Sequence, residues 1–475
     1  MKFIDLFSGC GGLSLGLLNA GHTGLFAIER SPDAFATLER NLVKQEFVQL
    51  KGHYEWPKNL DCKNHDILAR LNNSDFLNYL DELGRKQDVD LVVGGPPCQG
   101  FSSAGKRDPN DPRNQLAFAY LQIVERVKPK YILMENVKGI THTFSKAEEG
   151  TIPVSEQIER TLAELGYVPF HFIENSCQWG VPQSRSRFVL LAARKDLFGL
   201  DWGSETSIEA LLEHGKKLAP EVEMRVKKFA ENFMKQKGLI ETVTCRDALE
   251  DLKTTSSSSK IPLLVDVPKE DSPKGKFMQI PAYKVPENGG SSYQKLMKEG
   301  WENRTLPNFG LRLPNHTTKV KNRFESILIH IEAEGMIKRF NLARGKTLPI
   351  LYRKEILKSQ KHSLTVLDPK KPSGTVTTLP DDMLHYDEPR ILTVREMARL
   401  QSFPDWFHFE GPYTTGGNLR KITCPKYTQV GNAVPPLMAE GLGLFIVKEL
   451  PTLISKHSLQ RNKQVTEPEI AQLIC

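Results

Sequence analysis

Six short apolar runs, separated by longer amphipathic stretches, occupy the first 195 residues. They are KFIDLF (2–7), GLFAIE (24–29), VDLVVGG (89–95), YILMENV (131–137), VPFHFIE (168–174) and RFVLLAAR (187–194). Runs of this length and composition read as buried strands. Helical patterns lie between several of them: GGLSLGLLNAG (11–21), LAFAYLQIVERV (116–127) and VSEQIERTLAELG (154–166). Strand–helix alternation of this kind predicts an α/β chain built on a doubly wound parallel sheet. Such a sheet binds its ligand outside the carboxyl ends of its strands. Ser8-Gly9, Glu29, Cys98 and Glu135 all fall at those ends.

The first strand end, DLFSGCGGLSLG (5–16), is a glycine-rich turn into a helix. It brings backbone N–H groups and a helix N-terminus close to a ligand. It is not the dinucleotide fingerprint, because the third glycine of that pattern would fall at Ser14. A nucleotide-type cofactor carrying a carboxylate suits it. Glu29 is placed to hold two ribose hydroxyls, and Asp66 to meet an adenine amino group with Ile67 packing on the base. The plainer reading is that these glycines only pack helix on strand.

GGPPCQGFSS (94–103) ends a strand in two glycines and two prolines. Proline donates no ladder bond and fixes its own φ, so the chain turns there into a stiff loop. Cys98 follows that turn. Most unpaired cysteines are small buried hydrophobes; this one opens the polar run QGFSSAGKRD (99–108), which reads as a lid. Glu135, in ENV (135–137), ends what would be the neighbouring strand. Burial there would raise its pKa and make it a proton donor to a ring nitrogen. Arg185 and Arg187, two apart, share one face of a strand. They suit a salt-bridged surface, a phosphate or a base carbonyl.

Composition sets limits on these readings. The 475 residues are 25% charged and 39% hydrophobic, with a net charge of +7, which permits a nucleic-acid partner without demanding one. Seven scattered cysteines with no CxxC pair suggest neither a disulfide framework nor a metal site. With no secretory h-region and no apolar run of membrane-spanning length, a cytoplasmic protein without a membrane partner is expected.

Taken in order, DLFSGCGGLSLG, GGPPCQGFSSAGK, ENVKG, QSRSRF, REMARLQSFPDWF and QVGNAVPP resemble the motif series of the cytosine-5 DNA methyltransferases. The likeness covers roughly 1–195 and 373–447. It implies a Rossmann-like, S-adenosyl-L-methionine-dependent methyltransferase sheet with a second, smaller target-recognition domain. It implies catalytic roles for Cys98, Glu135, Arg185 and Arg187, and cofactor contacts from Phe7, Ser8, Gly9, Gly11, Gly12, Glu29, Asp66, Ile67, Pro96 and Asn432. No metal is implied. The expected organisation is a catalytic domain over 1–195 and 373–450, a target-recognition domain over 196–372 and a loose tail over 451–475. The substrate implied is a flipped-out cytosine in double-stranded DNA, methylated by a monomer in the nucleoid. A restriction endonuclease acting on the same site is the implied companion. Two details depart from the pattern: HDI (65–67) replaces the commoner GDI, and the glycine-rich turn carries Cys10. A tRNA methyltransferase on the same motifs is disfavoured by the long 196–372 block. A silent DNA-binding regulator is disfavoured by the intact Cys98, Glu135, Arg185 and Arg187. A nicotinamide oxidoreductase would leave Cys98 and ENV unexplained. The block's basic tract, Lys338 to Lys371, holds ten bases against Glu355 and Asp368 and is expected to meet phosphates.

Overall fold

A computed structural model describes residues 1–97, 115–143, 152–200, 202, 207–254, 264–267, 277–281, 283, 289–301, 310–359, 363–414 and 423–457. Cys98, the run 99–108 and Lys361 lie outside the described residues. The six apolar runs form one sheet: β1 (Lys2–Leu6), β2 (Thr23–Ile28), β3 (Leu91–Gly94), β4 (Tyr131–Val137), β5 (Tyr167–Asn175) and β6 (Ser186–Arg194). Its order is β2-β1-β3-β4-β6-β5. Alternate residues of each strand feed the two faces. Phe3, Leu91, Val93, Tyr131 and Leu133 join one core, and Ile4, Leu6, Val92, Ile132 and Met134 the other. Helices α1 (Gly12–Asn19) and α2 (Pro32–Leu38) follow β1 and β2, and α3 (Ile67–Leu71), α4 (Ser74–Lys86), α5 (Leu116–Val127) and α6 (Val154–Glu164) complete the crossovers.

The expectation of an all-parallel sheet needs one correction. β6 runs antiparallel to both β4 and β5. Only residues 176–185 join β5 to β6, too few for a crossover, so the two pair as a hairpin. The strand order reverses at β1, whose neighbours are β2 and β3. That switch point is where such a sheet opens a crevice.

The main core takes in chain on both sides of residue 195. Helix α7 (Ile208–Gln236) buries Leu211, Leu218, Val222, Val226 and Phe233 in the same core as β5. Returning helices Lys426–Asn432 and Pro436–Lys448 lie there too, the second against α1. The stretch Lys426–Lys448 is long and apolar enough to cross a bilayer, contrary to the sequence reading, but most of it is buried inside the molecule. The chain stays helical to residue 457, where Lys456 and His457 pair with Glu221 of α7, so the expected tail is docked at its start. A separate core forms later in the chain, from Phe324, Ile327, Phe340, Leu348, Tyr352, Leu364, Val366, Leu384 and Ile391.

The motif REMARLQ (395–401) bolts these parts together. Arg399 is fully buried between Asp251 and Asp405, at 2.6 Å from Asp405 Oδ2, and Lys298 reaches Asp251 at 2.5 Å. Arg390 grips Glu396 through two bonds of 2.7 and 2.8 Å. Buried pairs of this kind fix one arrangement, since a lone charge left there is costly.

Much of the basic tract is already engaged. Lys338, Arg339, Arg344 and Lys371 pair with Glu334, Glu355, Glu332 and Asp368. Arg353 is buried, its Nε donating to Leu348 O at 2.9 Å. Lys346, Lys354, Lys358 and Lys370 remain exposed.

Candidate active site

The carboxyl ends of β1 to β4, with Thr375–Thr378, Cys424, Gln429 and 431–434 of the returning chain, line a cavity of about 820 Å³. Phe7 and Ser8 leave β1 with Phe7 at φ 60, a conformation most side chains avoid. Ser8 N–H donates to Ile28 O at 3.1 Å, while its buried Oγ has no partner among the described residues. Glu29, at the end of β2, accepts from Gly9 N–H at 3.0 Å and Ser31 N–H at 2.7 Å. Burial raises its pKa above the usual carboxylate value, against the pull of those bonds. Asp66 caps α3, its Oδ1 accepting from Leu68 and Ala69, and still lines the cavity with Ile67.

Opposite stands the second group. Glu135, on the last turnings of β4, pairs with Arg187 Nε at 2.7 Å. Antiparallel pairing sets Val137 opposite Arg187 across β4 and β6, which brings the carboxylate and guanidinium to one wall. Asn136 Nδ2 donates to Pro96 O at 3.0 Å and so fixes the turn Gly95–Pro97, which lines the cavity and leads to Cys98. Arg185 is buried, and its Nη1 donates to Val376 O (3.2 Å) and Gly431 O (3.1 Å). Burial and the neighbouring Arg187 push its pKa down to about 9, so it stays charged at neutral pH.

Of the residues read from the sequence, Phe7, Ser8, Gly9, Glu29, Asp66, Ile67, Pro96, Glu135, Arg185, Arg187 and Asn432 line this one cavity. Gly11 and Gly12 do not. Gly11 takes φ 92 at the entrance to α1, and a Cβ on Gly12 would lie 2.3 Å from Val434 O, so both serve the turn and its packing. Asp5, His65, Asn136, Thr375–Thr378 and Gln429 also line the cavity and were not singled out. Asn136 was visible inside ENV. The threonine wall carried no signal, since a β-branched run in a loop announces no chemistry.

The residues fit S-adenosyl-L-methionine: an unpartnered Ser8 Oγ, open space above Gly9 and a strand-end carboxylate face a cavity of matching size. Sheet and cavity together define an S-adenosyl-L-methionine-dependent methyltransferase of the Rossmann-like kind. A crystal structure of a prophage-encoded E. coli protein assigned as a DNA modification methyltransferase shares this fold, with a TM-score of 0.56 and 23% identity over 95% of this chain and 99% of that one. The chain belongs to the C-5 cytosine-specific DNA methylase family, whose model matches residues 1–448. It is 29% identical to the type II methyltransferase M.DdeI of Desulfomicrobium norvegicum, over 93% of this chain and 87% of that protein. It is 27% identical to DNA (cytosine-5)-methyltransferase 1 of Rattus norvegicus, over 94% of this chain and 28% of that much longer protein. The enzyme transfers a methyl group from S-adenosyl-L-methionine to carbon 5 of cytosine in DNA.

Proposed function

We propose that the cavity is the place of this reaction and that its two walls divide the work. The observation that carries this reading is the Glu135–Arg187 pair facing the same space as Glu29, Asp66 and Asn432. Glu29 holds the ribose hydroxyls, Asp66 and Ile67 the adenine, and Phe7, Ser8, Gly9, Pro96 and Asn432 close around the rest. When bound there, S-adenosyl-L-methionine supplies the electrophilic methyl group. The target cytosine leaves the duplex to enter, because a stacked base is out of reach. The Cys98 thiolate adds to ring carbon 6 while Glu135 donates to ring nitrogen 3 and holds the exocyclic amine. Carbon 5 thereby becomes nucleophilic and would take the methyl group, the electron pair of the broken S–CH3 bond staying on the departing thioether. Arg187 contacts the ring carbonyl; Arg185 fixes the wall behind it. Loss of the carbon 5 proton then releases Cys98.

The target-recognition lobe is centred on the separate core from Phe324 to Ile391, with Lys346, Lys354 and Lys358 as its phosphate contacts. The type II names of the bacterial relatives support a modification enzyme paired with a restriction endonuclease of the same specificity. A cytoplasmic monomer is the simplest state for that task.

Bisulfite sequencing of plasmid DNA from cells expressing the chain tests the reading. One short sequence should be protected at one cytosine in every copy, and exchange of residues 312–372 for those of a relative should change that sequence. Absence of protected cytosines overturns the activity; an active exchanged enzyme that keeps its site overturns the lobe. Cofactor placement has its own test. Glu29→Ala should weaken S-adenosyl-L-methionine binding about tenfold or more by calorimetry, since hydrogen bonds to a charged acceptor contribute about 1.5–3 kcal/mol. Each carboxylate oxygen already takes one backbone bond and has room for another. As the raised carboxyl protonates, affinity should fall with falling pH. Unchanged affinity would assign Glu29 to the turn alone.

A further inference from the structure

Asp66 can meet an adenine amino group only if its turn is held in place. That turn opens α3, a helix of five residues, and a helix so short has little stability of its own. Ile67 is its one buried residue. Asp66 Oδ1 is taken by the helix cap, accepting from Leu68 and Ala69 N–H, which leaves Oδ2 for the cavity. Nothing within α3 fixes the direction of that second oxygen.

The residue before Asp66 supplies the fixing. His65 N–H donates to Glu29 O at 2.7 Å and joins the turn to the end of β2. His65 is half-buried, and with Asp66 it lines both the cavity and a smaller recess beside it, which Asp61, Lys63 and Arg70 also line. Arg70, in the last turn of α3, donates from Nη2 to His65 Nε2 at 2.6 Å. This is the one side-chain hydrogen bond of Arg70 among the described residues, where its buried Nε has none. The guanidinium rests over Phe76 of α4, 5.6 Å from the ring centroid. Arginine has only N–H groups to offer, so Nε2 accepts and the ring is neutral, its proton on Nδ1. Burial favours that neutral form, and the charges of Arg70 and Lys63 add to it against the pull of Asp61. Asp61 O stands 3.0 Å from the same nitrogen and is reached only by giving up Arg70. The contact therefore spans α3 from the residue before its cap to its last turn. A glycine at position 65 would have no ring to offer.

We propose that His65 is a positioning residue of the cofactor site: by accepting from Arg70 it braces α3 and aims Asp66 at the adenine amino group. It acts on cofactor affinity and leaves the chemical step alone. This rests on the reading that Asp66 meets the adenine.

The test uses the full chain, S-adenosyl-L-methionine and an analogue whose purine lacks the 6-amino group, with binding read by calorimetry. The unaltered enzyme should bind the analogue roughly tenfold more weakly, since the Asp66 contact is absent. His65→Ala should weaken binding of S-adenosyl-L-methionine roughly 3- to 10-fold, the range of one hydrogen bond. On the analogue the same variant should lose less than about twofold, a selectivity that general damage to the fold does not produce. His65→Gln, whose amide oxygen accepts from Arg70, should restore the affinity. Arg70→Met should match His65→Ala, and the double variant should lose no more than either alone, because both remove one contact. Single-turnover methyl transfer at saturating cofactor should be unchanged in all of them. Equal losses on both cofactors, additive losses in the double variant, or no loss at all overturn the proposal and leave the place of Asp66 standing. An unaltered enzyme that binds both cofactors alike overturns the place of Asp66, and the proposal with it.

Discussion

Cys98→Ser will bind DNA and S-adenosyl-L-methionine and transfer no methyl group. A serine hydroxyl is far less acidic than a thiol and stays un-ionised at neutral pH. The pyrimidine ring accepts a thiolate at carbon 6 because sulfur is both ionised and polarisable; a neutral hydroxyl offers neither. A rate loss of at least about a thousandfold is expected, as for other enzymes stripped of their nucleophile. Transfer from tritiated cofactor measures it, with gel shift to show that DNA binding survives. Turnover within tenfold of normal would remove Cys98 from the mechanism. The complementary experiment traps the intermediate. A 5-fluorocytosine target should become covalently attached to the unaltered enzyme, because fluorine cannot leave as the proton does.

Glu135→Gln should lower kcat by about 10²–10⁴-fold, the usual contribution of a positioned proton donor. The amide keeps the shape of the side chain and can still accept from Arg187, so the wall survives. It cannot deliver a proton to ring nitrogen 3. Single-turnover rates and DNA affinity separate the two effects: the first should collapse, the second should change only a few-fold. A variant with near-normal single-turnover rate would place the proton donor elsewhere in the cavity.

Every strand of the sheet was legible in the sequence, because each of β1 to β6 is built around a short, mostly apolar run. The direction of β6 was legible only in hindsight. Its signal is the length of the β5–β6 connection, and a chain of ten residues cannot cross a sheet. The cavity was half legible. Glu29 and Glu135 announce themselves because a carboxylate ending an apolar run has no packing reason to be there. Thr375–Thr378 gave no such contrast. Their place in the wall depends on Arg185 and Gly431, which the chain reaches from opposite directions. The basic tract was legible only in part, for a related reason. Charge is countable in a sequence, whereas pairing is not: Arg339 and Glu355 are sixteen residues apart and meet only in the folded lobe. REMARLQ was read as a marker of family, and its arginines turn out to be internal rivets.

Arg185 has a consequence for how the protein is made. Its carbonyl partners, Val376 and Gly431, lie 191 and 246 residues downstream. At a synthesis speed of about 5–20 residues per second, the nascent sheet waits roughly ten to fifty seconds for the last of them. Through that interval α1 has no Pro436–Lys448 helix to cover it, and an apolar flank faces the cytosol or a chaperone. The pocket acquires its final wall only after residue 434 has been made. A chain cut short before residue 434 lacks that wall, and the apolar flank of α1 stays bare.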